Sequence, residues 1–232
     1  MDGNTKVKGL KEAEIADSTN VKSDLTYRVV KRGFDIVCGL AGCAVLVPTT
    51  LILKFASMYN GDYAPILFTQ NRIGKDGKEF KFYKYRSMIP NADFVLDQLI
   101  KENPAIAEEY KVNKKLRNDP RITKVGGFIR RYSIDELPQF FNVLKGDMAV
   151  IGNRPYLPRE KNDMGDYFDK IVQTKPGITG YWQVSGRNDL TFRRRCELES
   201  YYSDNYSFAL DQEIFSKTFK TVLKGKGAKW LF

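Results

Sequence analysis

The sequence predicts one mixed α/β domain, mostly helical with a small β-hairpin, built on an N-terminal apolar helix that enters a membrane. Three observations predict it. An uncharged run of eighteen residues, Ile36 to Leu53, is interrupted by Pro48 and has basic residues on both sides. A hairpin signal follows, with Phe80 and Phe82 alternating with polar residues after Asp76-Gly77. Beyond it the chain returns repeatedly to helical apolar spacing, with only short buried-strand candidates between. At 232 residues it holds one good-sized domain with appendages.

Composition narrows the chemistry. Lysine and arginine number 38 against 28 acidic residues, a net charge of +10. Such an excess suits nucleic acid, anionic lipid or phosphorylated ligands. No histidine is present. That excludes a Ser-His-Asp triad, a histidine base and a histidine-ligated zinc within this chain. The three cysteines, Cys38, Cys43 and Cys196, form no CxxC pair. They argue against a disulfide framework or a zinc ribbon and fit a reducing compartment.

In chain order, residues 1 to 24 read as a flexible or peripheral polar segment without the apolar core of a signal peptide. Residues 25 to 58 form the membrane element. Its uncharged stretch is at the lower limit for a span. Pro48 removes a backbone donor and breaks the helix near that point. Arg28, Lys31 and Arg32 before it, and Lys54, Arg72, Lys75 and Lys78 after it, place both ends on the cytoplasmic side. Thr49 or Thr50 could satisfy backbone groups freed at the break. From the residues alone, a helix that returns, a helix that spans and a buried core helix all remain open, with membrane insertion favoured.

Residues 59 to 232 form the folded domain. Ile66 to Gln70 reads as a strand, Asp76-Gly77 as a type I′ turn, and the returning strand ends at Lys84 and Arg86, a pair suited to gripping a phosphate. Asn91 caps a helix with apolar face Ala92, Val95, Leu96, Leu99 and Ile100, which ends at Pro104. A polar helical segment, roughly 105 to 116, leads to the turn Asn118-Asp119-Pro120-Arg121. Val125, Phe128 and Ile129 give the next short apolar face. Ala149 to Ile151 is a short buried strand or turn, and Arg154 sits in a stiff loop before Pro155. Residues 166 to 173 form a brief helix. The glycine-rich segment from Pro176 to Arg187 reads as a ligand loop with an exposed aromatic pair, Tyr181 and Trp182; Gln183 and Arg187 are its candidate contacts. It is neither a Walker A nor a Rossmann pattern. Helices follow near 191 to 203 and 208 to 223, the second amphipathic. Lys229 to Phe232 suits a lipid interface.

The stretch with most chemistry is Ser133-Ile134-Asp135-Glu136-Leu137-Pro138-Gln139. Ser133 and Glu136 have capping-box spacing, although Pro138 could open the helix instead. Either way two adjacent carboxylates stand at the positive end of a helix dipole. Arg121, Lys124, Arg130 and Arg131 precede them and Arg154 follows. Carboxylates among arginines suit phosphate transfer, and a divalent metal could join them. A capped surface helix with charge-matched neighbours has the same pattern.

Taken together, Lys31-Arg32-Gly33-Phe34-Asp35, Gln70-Asn71-Arg72-Ile73-Gly74, Phe82-Tyr83-Lys84-Tyr85-Arg86-Ser87-Met88, Asn118-Asp119-Pro120-Arg121-Ile122-Thr123, Asp135-Glu136-Leu137-Pro138-Gln139, Asn142 to Met148 and Pro176-Gly177-Ile178-Thr179-Gly180 resemble, in this order, the bacterial sugar transferases. These are monotopic polyprenyl-phosphate phosphoglycosyl transferases, and the resemblance runs from about Tyr27 to Ala228. It implies transfer of a sugar-1-phosphate from a UDP-sugar to undecaprenyl phosphate, with UMP released, as the initiating step of a surface polysaccharide such as an exopolysaccharide, capsule or lipopolysaccharide. It implies Asp135 as a nucleophile that carries the phosphosugar and Glu136 as its partner and a Mg2+ ligand. It places Lys84, Arg86 and Arg121 near phosphates and Arg154 in nucleotide recognition. It also implies a re-entrant membrane helix, interfacial amphipathic helices, and a catalytic domain on the cytoplasmic face of the bacterial inner membrane. A homodimer is compatible with it; nucleic acid is not an expected partner. The segment from Asn91 to Leu116 resembles an insertion of hexose-1-phosphate members, which favours UDP-glucose or UDP-galactose. Two positions depart from the family pattern: Val47-Pro48 stands for Ser-Pro, and Asn153-Arg154-Pro155 for Pro-Arg-Pro. The other readings are a catalytically idle membrane scaffold of a glycan assembly complex and a basic nucleic-acid binder, the latter without any recognised module.

Overall fold

The computed structural model describes residues 25–186 and 190–223. The expectations for residues 1 to 24, for Arg187 and for Lys229 to Phe232 lie outside the described residues. The architecture is mostly helical with a small two-stranded antiparallel sheet.

Two helices open the chain, α1 (Leu25–Ala44) and α2 (Leu46–Tyr59), bent by 42° at Val45. The bend lies one turn before Pro48. A proline in a helix removes its own donor and crowds the carbonyl four residues earlier, here that of Ala44. The Thr49 hydroxyl donates to the Val45 carbonyl (2.7 Å) and the Thr50 hydroxyl to that of Leu46 (2.6 Å). These threonines supply hydrogen bonds at the break without the expected Ser-Pro serine. Among the described residues no single helix is long and apolar enough to cross a membrane; only the bent pair meets the length and composition together.

The hairpin follows as β1 (Leu67–Ile73) and β2 (Glu79–Tyr85). Asp76 and Gly77 both have positive φ, 58° and 74°, and the Lys78 amide donates to the Lys75 carbonyl, as a type I′ turn requires. Next come α3 (Ala92–Glu102) and α4 (Pro104–Asn113). Asn91 does not cap α3 with its side chain: it lies in the left-handed region and contributes its backbone carbonyl instead. Asn103 is the side-chain cap of this pair, at the start of α4, where Pro104 opens the helix rather than merely ending α3.

Helices α5 (Lys124–Arg131) and α6 (Gln139–Lys145) flank a single 3-10 turn, Ile134–Glu136. The expected capping box does not form, because Ser133 adopts φ 56° and its side chain makes no cap bond. The helix starts after Pro138, so the two carboxylates stand one turn ahead of α6.

Strand β3 (Ala149–Ile151) precedes α7 (Lys161–Met164) and α8 (Phe168–Ile171) and pairs in parallel with β4 (Gly177–Thr179). This second small sheet is absent from the sequence reading. Backbones approach so closely there that a Cβ on Gly177 would lie 2.1 Å from the Gly152 nitrogen. The glycine-rich segment is therefore a packing device as well as a loop. Helices α9 (Tyr181–Val184), α10 (Phe192–Asn205) and α11 (Phe208–Leu223) close the fold. Tyr181 and Trp182, expected outside, are buried in the core with Phe82, Val143, Met148, Val150, Tyr202 and Ile214.

The N-terminal helices lie against this core. Arg32 donates to the carbonyls of Val143 and Leu144 at the end of α6, where a cation offsets the helix dipole. Asp35 is buried and accepts the Val150 amide (2.8 Å). Tyr27, Lys31 and Tyr202 all hydrogen-bond Asp211 of α11. On α2, Leu53 packs with Ile66, Tyr85 and Ile129.

Candidate active site

The cleft is assembled from three local constraints. Asn142, fully buried on α6, accepts the Tyr83 amide and donates to the Lys81 carbonyl, which fixes β2 against α6. Gly126 packs α5 so tightly on Ser87 that a Cβ would meet the Ser87 carbonyl oxygen at 1.9 Å. Arg130 Nε donates to Ser87 Oγ (2.8 Å). Strand end, helix and 3-10 turn are thereby held together, and Lys84 faces Asp135. Lys84 Nζ lies 2.6 Å from Asp135 Oδ2, with the carboxylate buried and the lysine partly open.

The cleft has a volume of about 300 Å³ and is lined by Arg72, Lys84, Arg130, Asp135, Glu136, Gln139, Arg154, Trp182 and Gln183, among others. A larger neighbouring lobe, about 680 Å³, shares Arg72, Lys84, Arg130 and Arg154 with it. Four cationic side chains thus surround two adjacent carboxylates. Burial together with the charge of Arg154 pushes Arg72 down to about 9, so it remains cationic at neutral pH. Burial lowers Arg130 as well, while Asp135 and Asp119 oppose the shift. Among the described residues the buried Nε atoms of Arg72, Arg154 and Arg195 and Trp182 Nε1 have no hydrogen-bond partner. Arg72 donates instead from Nη1 to the Pro155 carbonyl and from Nη2 to Gln70 Oε1.

Of the residues singled out in the sequence, Lys84, Asp135, Glu136, Arg154 and Gln183 meet in this cleft. Arg86 and Arg121 line the larger lobe, with their guanidiniums already engaged. Arg86 pairs through Nη2 with both oxygens of Asp62 and also donates to the carbonyls of Pro65 and Met88. Arg121 forks onto Asp119 at 2.7 and 2.6 Å and donates to the Ala92 carbonyl. Both act here as clamps on the lobe's walls. Sequence reasoning did not pick out Arg72 as a site residue and named Arg130 only as one of several arginines around the carboxylates. Their signal was present: Arg72 sits in the Gln70 to Gly74 motif and Arg130 just ahead of the carboxylates.

The Arg154 loop is held from below by α10. Both oxygens of Glu199 accept the Arg154 amide at 2.9 Å. Asn153 donates to the Ile171 carbonyl, Thr174 Oγ1 and Ser203 Oγ. The asparagine that replaces the first proline of the family pattern thus fixes the loop through its side chain. The Arg154 guanidinium then stands 5.7 Å from the Trp182 ring centre, a cation–π distance. Burial pushes Glu199 up to about 8, against the pull of the Arg154 amide and the Arg154 and Arg195 charges.

Asp135 and Glu136 offer hard oxygen donors side by side. Among the described residues no group of three or more potential ligand side chains gathers to hold a metal. Two carboxylates supplemented by substrate phosphates are a donor set that Mg2+ commonly uses.

The model of the family described as bacterial sugar transferase matches residues 26–225. The chain is 43% identical over 201 residues to the undecaprenyl-phosphate galactose phosphotransferase of Salmonella typhimurium, covering 87% of this chain and 42% of that protein. It is 42% identical over 217 residues to the UDP-galactose-lipid carrier transferase of Erwinia amylovora, covering 94% of this chain and 45% of the other. The exopolysaccharide production protein ExoY of Sinorhizobium fredii is 36% identical over 200 residues, with 86% of this chain and 88% of that protein aligned. The chain thus spans a little under half the length of two of these relatives and most of the third. With a family match over nearly its whole length, the chain belongs to the bacterial sugar transferase family.

Proposed function

We propose that this protein transfers a hexose-1-phosphate from a UDP-sugar to undecaprenyl phosphate, releases UMP, and so begins assembly of a surface polysaccharide. The observation that carries the reading is the Lys84–Asp135 ion pair set in a cleft with Arg72, Arg130 and Arg154. Asp135 attacks the sugar-bearing phosphorus of the donor. The bond from that phosphorus to the bridging oxygen breaks, and UMP leaves with the electron pair. An oxygen of the lipid phosphate then attacks the same phosphorus and the Asp135 carboxylate departs, giving a lipid diphosphate sugar. A carboxylate nucleophile divides one difficult transfer into two easier ones.

Lys84 holds the Asp135 carboxylate in place through their ion pair. Arg72, Arg130 and Arg154, which line the same cleft, would offset charge that spreads over the phosphoryl oxygens in the transition state. Glu136, with Asp135, would hold Mg2+ against the donor diphosphate, where the ion would neutralise negative charge. The names of the Salmonella and Erwinia relatives favour galactose as the sugar.

The same assembly supports a membrane placement. The start of α1 is tied to Asp211, and α2 reaches the folded domain through Leu53, which packs with Ile66, Tyr85 and Ile129. Both helices of the bent pair therefore contact one domain, which favours a re-entrant helix over a span. Val29, Val37, Val47, Leu51, Ile52 and Phe55 are exposed along it, an apolar surface suited to lipid. We place this element in the cytoplasmic leaflet of the bacterial inner membrane, where the basic surface also favours anionic lipid.

The test is UMP release from a panel of UDP-sugars, UDP-galactose and UDP-glucose first, with Mg2+ and undecaprenyl phosphate. The expected result is release that needs one donor, the metal and the lipid. Asp135→Asn should lower it by more than about a thousandfold. Absence of turnover with every donor, in a folded membrane preparation, would favour the scaffold reading.

A further inference from the structure

Next to the reaction cleft lies a groove that the transfer chemistry above leaves unused. It has a volume of about 270 Å³ and runs between the 3-10 turn with the start of α6 on one side and α11 on the other. Leu137, Phe140, Ile178, Val184, Phe215 and Phe219 make up much of its wall. Glu136 and Gln183 stand at its inner end and also line the reaction cleft, so the two spaces meet at the carboxylate pair.

The outer end leads to an apolar exterior. Phe215 is 41% and Phe219 59% exposed. Phe215 packs edge-on against Phe34 of α1, with ring centres 5.4 Å apart. Phe34 is itself exposed and shares a helix face with the exposed Val30 and Val37. Hence the groove connects the outward apolar side of α1 with the reacting carboxylates.

Its chemistry selects the occupant. Among the described residues no lysine or arginine lines it, so these residues offer a nucleotide diphosphate no counter-charge there. The hydroxyls of Thr179 and Thr218 in the wall hydrogen-bond each other at 2.7 Å. What fits is an apolar chain carrying an anionic group at one end. That end would emerge past Glu136 into the cleft beside Lys84 and Arg130.

Building on the transfer reading, we infer that this groove holds the first isoprene units of the polyprenyl phosphate acceptor. An apolar cavity of about 150 Å³ accepts benzene. By that measure a groove of about 270 Å³ takes roughly two isoprene units. The remainder of the chain leaves past Phe219 into lipid. The groove thereby brings the acceptor phosphate to the carboxylate pair along a path separate from that of the water-soluble donor.

The experiment uses the full chain in lipid nanodiscs and a farnesyl phosphate probe with a diazirine on its second isoprene unit. After illumination, the label is located by peptide mass spectrometry. The expected label falls on residues 134–140 or 215–221, is removed by excess undecaprenyl phosphate, and survives excess UDP-galactose. Label confined to α1 and α2, or label that undecaprenyl phosphate does not displace, overturns the inference. Labelling does not depend on turnover. Protein that releases UMP but shows no groove label would contradict only the groove, whereas groove label without UMP release would contradict only the transfer reading. As a second measurement, Phe219→Ala should raise KM for undecaprenyl phosphate about tenfold, roughly the loss of one partly buried ring. KM for the nucleotide sugar should stay constant and Phe219→Leu should restore most of the loss. An equal rise in both KM values, or no rise in either, would overturn it.

Discussion

The Lys84–Asp135 contact is where stability and the proposed chemistry meet. The carboxylate is buried and its oxygen lies 2.6 Å from the ammonium, so removing the lysine leaves a buried charge without its partner. Lys84→Ala should lower kcat for UMP release on the order of a hundredfold, as loss of one preorganised charge partner does. Lys84→Arg should recover part of it; steady-state kinetics on both variants checks this, and an unchanged kcat in Lys84→Ala would refute the role. At this scale the sequence was informative about types and less so about partners. Adjacent carboxylates preceded by arginines already marked Asp135 and Glu136. Nothing in the local pattern shows that Arg86 is taken up by Asp62, 24 residues earlier. The reverse holds for Arg72, which reads as one more basic residue after the apolar run, yet folds into the cleft wall.

Elements with a strong local code were legible. The alternation around Asp76-Gly77 fixes the hairpin, and Pro48 dictates a bend whose centre falls one turn earlier, at Val45. The β3–β4 pairing was not legible, because its partners are three-residue strands, and Ala149 pairs with Gly177 across a long connection. The capping box failed for a related reason: Ser133 takes up a left-handed conformation to link α5 to the 3-10 turn, and tertiary packing overrides the local signal. Helix α10 carries the prediction at this scale. A carboxyl whose pKa is raised by folding contributes stability below its unfolded value and loses it as pH rises through the folded value. For Glu199 that window runs from 4.5 to about 8. The thermal midpoint should therefore fall as pH rises through this range, and Glu199→Gln should make the fall shallower. A melting series at several pH values tests it; an unaltered slope in the variant would show that Glu199 does not titrate there.

The molecule as a whole joins a helix pair with an apolar outer surface to a basic cleft, and the two are braced together by Arg32, Asp35 and Asp211. If the bent pair enters and leaves one leaflet, cysteines introduced at Leu25 and Asn60 in a background lacking Cys38, Cys43 and Cys196 will both react with an impermeant maleimide from the cytoplasmic side alone. Reaction of the two sites from opposite sides would mean a span and would dismantle this placement. The molecular arrangement makes sense of a reaction between a water-soluble donor and a lipid acceptor, and its centre is the covalent role of Asp135. Intact-protein mass spectrometry after mixing with UDP-galactose, in the absence of lipid phosphate, tests that role most directly. The account predicts a single hexose-phosphate adduct on the peptide containing Asp135, lost on adding undecaprenyl phosphate and never formed by Asp135→Asn. An adduct on another residue, or UMP release that requires both substrates together and passes through no adduct, would contradict it.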